Sequence, residues 1–251
     1  MDSYATAAQV YVAGLVFARV GAMVMLMPGI GDPVVPPRIR LSFALLMSLL
    51  LAPLVYRSIG PVPTSVGALG GAVIHEVLIG LMIGGVLRIF MGAMTTAGEI
   101  ISLQTTLSFA QTTNPMGAQS STAVATFLSM LGLTLIMATD LHHLFIGAIV
   151  KSYDIFPFTR AVPVNDAAAL AVRTVADSFK LGVQLSAPVL VFSIVFNLAT
   201  GLVGRVMPSF QIFFVTSPLS VILGLSLLGV SLGGIAMVWT DRYRDLLAIF
   251  N

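Results

Sequence analysis

LQTTLSFAQTTNPMG, Leu103 to Gly117, lies inside the longest uncharged part of the chain, Ile100 to Thr139. A lipid-spanning helix has little use for Gln104, Gln111, two Thr pairs and an Asn-Pro step. Pro115 disfavours helix at Asn114, and Gly117, Gln119, Ser120 and Ser121 extend the interruption. Irregular backbone at membrane depth is tolerated only where protein or a water-filled cavity satisfies its polar groups. The stretch is therefore expected to face something other than lipid.

The rest of the chain is apolar enough to make that question matter. Of 251 residues, 57% are hydrophobic and 9% charged, with a mean hydropathy of +1.02. An ordinary soluble domain carries about 25% charge, so the composition is that of a membrane protein. The formal net charge of +2 arises from scattered residues. No basic cluster can neutralise several phosphates, and nucleic acid is excluded as a partner. There is no cysteine, hence no disulfide and no thiolate metal site. The N-terminal MDSYATAAQ lacks a positive n-region and its apolar run reaches Met27, too long for a signal peptide, so it reads as an uncleaved first helix.

Apolar windows long enough to cross a bilayer cover Tyr4 to Met27, Leu41 to Tyr56, Val66 to Met94, Val124 to Val150, Leu181 to Met207 and Ile212 to Trp239. They predict an all-α chain of five to six long helices, the second one short. The connections are a Pro/Gly loop at Pro28 to Pro37, another at Gly60 to Pro63, and a polar link from Lys151 to Asp177. None is large enough for an enzyme domain, and no nucleotide fingerprint, catalytic triad or cofactor motif is present. Lys and Arg are too evenly spread to set an orientation. Glycines four apart at Gly67/Gly71, Gly80/Gly84 and Gly229/Gly233 share a helix face and allow close helix packing, within the chain or against another subunit.

Arg19, His75, Glu76, Arg88, Glu99 and Asp140 interrupt the apolar windows. A charge at the bilayer centre costs at least ~2.5 kcal/mol, so each needs a partner. Arg88 and Glu99 share a helix face but are separated by a rise of roughly 16 Å, and they cannot pair with each other. Asp140, His143, Lys151 and Asp154 fall within about 80° on a continuous helical wheel. That spacing allows a proton relay, or a polar helix end facing water or protein. His142 and His143 are adjacent, about 100° apart, and no metal-ligand spacing completes a site, so no metal is expected.

Several segments together match one family. They are Arg19 through Pro28 and Gly29; Pro37-Arg38-Ile39-Arg40; Glu76-Val77-Leu78-Ile79-Gly80 with Gly84; Ala97-Gly98-Glu99; and Leu103-Gln104 with Leu107-Ser108-Phe109-Ala110. Further on stand Asn114-Pro115, His142-His143, Ser152-Tyr153 with Pro157, Asn197-Leu198 with Gly201 and Arg205, then Pro208, Gln211 to Phe213 and Pro218. In order and spacing the chain resembles the FliR/SctT family of type III secretion export-gate proteins. It departs from the usual pattern in having Asn114 before Pro115 instead of Asp, Leu141 instead of Gly before the His pair, and Thr112 and Thr113 where a second Phe is common.

The resemblance implies a helical hetero-oligomer with FliP-like and FliQ-like subunits, in which residues 1–180 are FliP-like and 181–251 form a FliQ-like hairpin. It implies further partners of the FlhB and FlhA kinds, unfolded flagellar proteins in transit, and a place in the bacterial inner membrane at the flagellar basal body. It implies no enzyme activity and no cofactor. The loop Phe109, Ala110, Gln111, Thr112, Thr113, Asn114, Pro115, Met116 and Gly117 would plug the pore, with Phe109 as the occluding side chain. Arg19, Glu76, Arg88, Glu99, Asp140, His143 and Arg205 would make buried contacts within the chain or between subunits. Alternatives are a virulence-type export-gate subunit, a purely structural nucleator of assembly, or an ion-coupled transporter using Asp140 and His143.

Overall fold

Thr6 opens the first helix with a reciprocal cap: its backbone N–H donates to Gln9 Oε1 (2.8 Å) and its hydroxyl accepts from the Gln9 N–H (3.4 Å). The computed structural model describes residues 6–56, 62–108, 121–158, 164–207 and 211–250. Its helices are α1 (Ala7–Leu26), α2 (Pro37–Val55), α3 (Val66–Gln104), α4 (Ala123–Ala138), α5 (Leu141–Ile155), α6 (Val164–Val206) and α7 (Ile212–Ala248). Among the described residues there is no strand. Five helices are long and apolar enough to span a membrane, and the α4 and α5 pair makes a sixth if counted as one broken span. The all-α expectation holds.

Three boundaries differ from the sequence reading, each for a local reason. Helix α3 continues past Met94 to Gln104, because its polar Thr95, Thr96 and Glu99 are held by neighbouring helices instead of marking an end. The window Val124 to Val150 is two helices bent by 74°, not one. Asp140 sits between them in the left-handed region (φ 58°), a conformation Asp tolerates better than most residues. The Thr139 N–H closes α4 on Leu135 O, and the His143 N–H begins α5 on Asp140 O. Finally, the polar link Lys151 to Asp177 is largely helical: α5 runs to Ile155 and α6 begins at Val164, with Asp166, Arg173, Asp177 and Lys180 on exposed positions.

By packing, the chain groups into two units, one of Met1–Phe90, Asp140–Val175 and Arg244–Asn251, the other of Met91–Thr139 and Ala176–Tyr243. The first has a core of Val16, Val20, Met23, Ile79, Ile83, Leu87 and Phe145. The second buries Met94, Ala97, Ile101, Leu128, Ile136 and Trp239.

Helix α3 contributes to both units. In the first, a Cβ at Gly80 would collide with the Arg19 carbonyl and one at Gly84 would press on Met23, so the glycine pair marks where α1 and α3 touch. In the second, a Cβ at Gly98 would overlap the Ala125 backbone of α4, and the Thr105 side chain occupies the notch left by Gly224 of α7. Of the three glycine pairs, Gly80/Gly84 therefore packs within the chain. Around Gly67, Gly71, Gly229 and Gly233 a Cβ would meet nothing within 4 Å.

The chain does not cover its own apolar surface evenly. More than half of the best spanning window of α3 is buried (56%), against 11% in α6 and 17% in α7. At 1.5 Å per residue, the 39, 43 and 37 residues of α3, α6 and α7 extend about 58, 64 and 55 Å. A bilayer core is about 30 Å thick. None of these helices fits inside hydrocarbon along its whole length without a large tilt.

Candidate functional site

Arg19 is fully buried in the middle of α1, yet its guanidinium lacks nothing. Nε donates to Glu76 Oε2 (2.7 Å) and Nη2 to Glu76 Oε1 (3.1 Å), a two-pronged pair across α1 and α3. Nη2 also donates to the Phe156 carbonyl (2.8 Å), while Nη1 donates to the Ser152 carbonyl (2.9 Å) and hydroxyl (3.5 Å). All five N–H groups of the side chain are thereby used. The rings of Tyr153 and Phe158 lie 4.2 and 5.1 Å from its central carbon, in the range of cation–π attraction. His75 Nδ1 is 2.9 Å from Glu76 Oε1. The expected buried charge thus finds its partners inside this chain, and the residues that complete the nest, Ser152, Tyr153, Phe156 and Phe158, come from the end of α5 and just beyond.

The expected plug, Phe109 to Gly117, lies outside the described residues. The described residues nearest to it, up to Ser108 on one side and from Ser121 on the other, lie at helix ends. At the end of α3, Ser193 Oγ of α6 donates to Gln104 Oε1 (2.7 Å), and Asn197 Nδ2 donates to the same Ser193 hydroxyl (3.3 Å). Thr106 adopts φ 60° and its hydroxyl is 3.3 Å from that of Ser217 in α7. The Ser108 N–H donates back to the Ser102 carbonyl (3.2 Å), which finishes the helix. On the far side, Thr122 caps α4 by accepting from the Ala125 N–H (3.2 Å), and its own N–H donates to Glu99 Oε1 (2.9 Å).

Glu99 therefore has a partner that hydropathy could not suggest. Its carboxylate stands at the N-terminus of α4, where the free N–H groups and the helix dipole favour a negative charge. Gly98 is what lets α3 approach α4 closely enough for the contact. The neighbouring pair Gly98-Glu99 thus has a steric half and an electrostatic half.

The remaining charges are less enclosed. Arg88 pairs with Asp32 in the loop after α1, a partner that no helical spacing could have pointed to. Its side chain is 44% exposed. Arg205 lies on an exposed position near the end of α6. Asp140 and His143 are 79% and 68% exposed, 3.6 Å apart at the bend. His143, Lys151 and Asp154 stay on one helix, α5, with Asp140 at its start, and all four lie on exposed positions, as a polar helix end does. Adjacent His142 and His143 have ring centroids 4.1 Å apart, and with Asp140 they bring one possible ligand atom each within 4.8 Å of one another. This convergence was invisible in the residue spacing, because it depends on the left-handed turn. It stands at the positive end of the α5 dipole, which opposes a cation.

Residues 10–246 match the model of the family described as bacterial export proteins, family 1. The chain belongs to this family. It is 80% identical, over the full length of both chains, to the flagellar biosynthetic protein FliR of Caulobacter vibrioides. Against the protein of that name from Escherichia coli K12 it is 33% identical over 93% of this chain and 87% of the relative. Against that of Bacillus subtilis it is 27% identical over 94% of each. The FliR resemblance carried by the scattered motifs is thus confirmed, and the family's flagellar biosynthesis and export role applies to a chain built of membrane-type apolar helices.

Proposed function

We propose that this chain is a non-enzymatic subunit of the flagellar type III export gate, building with FliP-like and FliQ-like subunits the conduit for unfolded flagellar proteins across the bacterial inner membrane. FlhB-like and FlhA-like components complete the apparatus around it. Within the chain, residues 1–180 correspond to a FliP-like part and 181–251 to a FliQ-like hairpin, and the segment from Phe109 to Gly117 narrows the conduit.

The observation that carries this reading is the bareness of α6 and α7. Both contain a long apolar window, both are far longer than a bilayer core is thick, and only 11% and 17% of those windows are buried by the rest of the chain. Phe179, Ile194 and Leu198 of α6 and Ile222, Val230 and Met237 of α7 are all exposed. A helix hydrophobic on all sides belongs in a larger assembly or in lipid, and excess length favours neighbours that also continue past the lipid. Two polar, capped helix ends, at Ser108 and Thr122, flank the segment assigned to the conduit. The exposed, kink-borne Asp140 and His143 give no buried relay for an ion-coupled transporter.

Purification of the tagged chain from cells tests the reading. Bound FliP-like and FliQ-like subunits are expected, together with a raised small-solute leak in an assembled Phe109→Ala gate. Recovery of a stable solitary bundle, or an assembled Phe109→Ala gate as tight as the parent, overturns it.

A further inference from the structure

Two of the three histidines in the chain stand side by side at the start of α5, and the chain has no cysteine. Adjacent residues on a helix diverge by about 100°, yet the His142 and His143 rings lean together, with centroids 4.1 Å apart and planes 38° from parallel. Asp140, the residue before the helix, brings its carboxylate to the same place: Oδ1 is 3.6 Å from His143 Nδ1. One nitrogen or oxygen from each of the three side chains lies within 4.8 Å of the others. Among the described residues no other three histidine or carboxylate side chains converge in this way.

Local bonding leaves these atoms available. An Asp at a helix N-cap ordinarily accepts an N–H from the first turn, but Asp140, held at φ 58° and ψ 18°, makes no such side-chain bond. His142 Nδ1 is buried and has no hydrogen-bond partner among the described residues, which is costly unless something satisfies it. The scaffold beneath is anchored: Leu141 is fully buried, Phe145 is 1% exposed, and the His143 N–H donates to the Asp140 carbonyl (3.1 Å). The left-handed turn thus gathers a carboxylate and two imidazoles on a fixed stretch of backbone.

We infer that Asp140, His142 and His143 form a binding site for a divalent transition ion of the zinc class. Two imidazoles and one carboxylate suit such an ion, with water completing its coordination. Magnesium and calcium take oxygen ligands and do not match this set. Metal–ligand bonds of about 2.0–2.2 Å place tetrahedral ligands roughly 3.4 Å apart, so the side chains close by about 1 Å when the ion enters. Asp140 and His143 are exposed and His142 is half-buried, which leaves room for that movement. The ion meets the positive end of the α5 dipole, and the Asp140 carboxylate, which that same end favours, supplies the compensating charge. Held by the residue before the helix and by its first turn together, the ion fixes the left-handed turn and stabilises the folded chain by mass action. The ligands all come from this chain, so the site requires no partner subunit.

Full-length protein carrying a histidine-free tag, solubilised in detergent and stripped with a chelator, is titrated with zinc chloride and separately with magnesium chloride. One saturable zinc per chain is expected, with a rise in melting temperature, and no response to magnesium. Asp140→Asn, His142→Gln and His143→Gln should each weaken zinc binding by more than about tenfold, since losing even an outer partner of a metal ligand has an effect of that size. Asp154→Asn, which removes an exposed carboxylate later on α5, should bind zinc as the parent does. Should His142→Gln fail to fold, the exposed pair Asp140→Asn and His143→Gln decides. Absence of saturable zinc binding overturns the site. So does binding that survives in Asp140→Asn and His143→Gln, or that falls equally in Asp154→Asn.

Discussion

Arg19 and Glu76 are 57 residues apart in the chain and form a two-pronged ion pair that solvent does not reach, with side-chain exposures of 0% and 1%. Two helices are locked in register by it, because Gly80, one turn along α3 from Glu76, meets the carbonyl of Arg19 itself. Removing one member of such a pair leaves an uncompensated buried charge, at a cost of about 3–5 kcal/mol.

Arg19→Ala and Glu76→Ala are therefore expected to lower the melting temperature of the detergent-solubilised protein sharply. Arg19→Lys should rescue little, because an ammonium cannot serve both carboxylate oxygens and two backbone carbonyls from one plane. The double variant Arg19→Met/Glu76→Leu is expected to recover part of the loss only, since the Ser152 and Phe156 carbonyls still lose their donors. Full recovery would mean that those carbonyl bonds contribute nothing.

Tyr153 separates ring from hydroxyl. Its ring lies over Arg19, but its buried hydroxyl has no hydrogen-bond partner among the described residues. Tyr153→Phe should leave thermal stability within about 0.5 kcal/mol of the parent or raise it, as removing an unsatisfied buried group does. Tyr153→Ala should cost about 3–5 kcal/mol through cavity formation and the exposed guanidinium face. A destabilised Tyr153→Phe would show that the hydroxyl has a role.

The glycines divide into two classes that melting and co-purification can tell apart. Gly80→Ala and Gly98→Ala force a methyl into backbone of the same chain and are expected to cost about 1–3 kcal/mol in the isolated protein. Gly229→Ala meets nothing within 4 Å. In the isolated chain it should gain up to about 1 kcal/mol of helix propensity. A loss of assembly in that variant, without loss of melting temperature, would locate a close approach by another subunit.

Asp140 and His143 provide the sharpest contrast with a transporter. Asp140→Asn keeps a residue that tolerates the left-handed turn and removes only an exposed charge. Swimming in soft agar is expected to be unchanged for it and for His143→Gln. Loss of swimming in a normally assembled apparatus would restore the proton-relay reading.

Much of this was open to reading in the residues themselves. Among the described residues the six apolar windows fall on helix, one of them broken at Asp140, because long runs of aliphatic side chains leave few other ways to satisfy a backbone away from water. The charges worth attention were also evident, since Arg19 and Glu76 stand out in their windows. Their partners were not. Asp32 sits in a Pro/Gly loop, and the Thr122 N–H belongs to no side chain, so neither carries a signal in composition or spacing. The turn at Asp140 escaped for a different reason: hydropathy is blind to the sign of φ, and the left-handed residue there is not a glycine. The beginning of α6 was hidden by its own exposed charges, which resemble a linker when counted and a solvated helix face when placed.

The uncovered flanks of α6 and α7 have a cellular corollary. A newly made copy that fails to meet companions presents long greasy ridges to chaperones and membrane proteases, so its lifetime should be short and its level should follow theirs. Producing it alone invites precipitation, whereas co-translation with the rest of the apparatus supplies the missing cover as each ridge emerges.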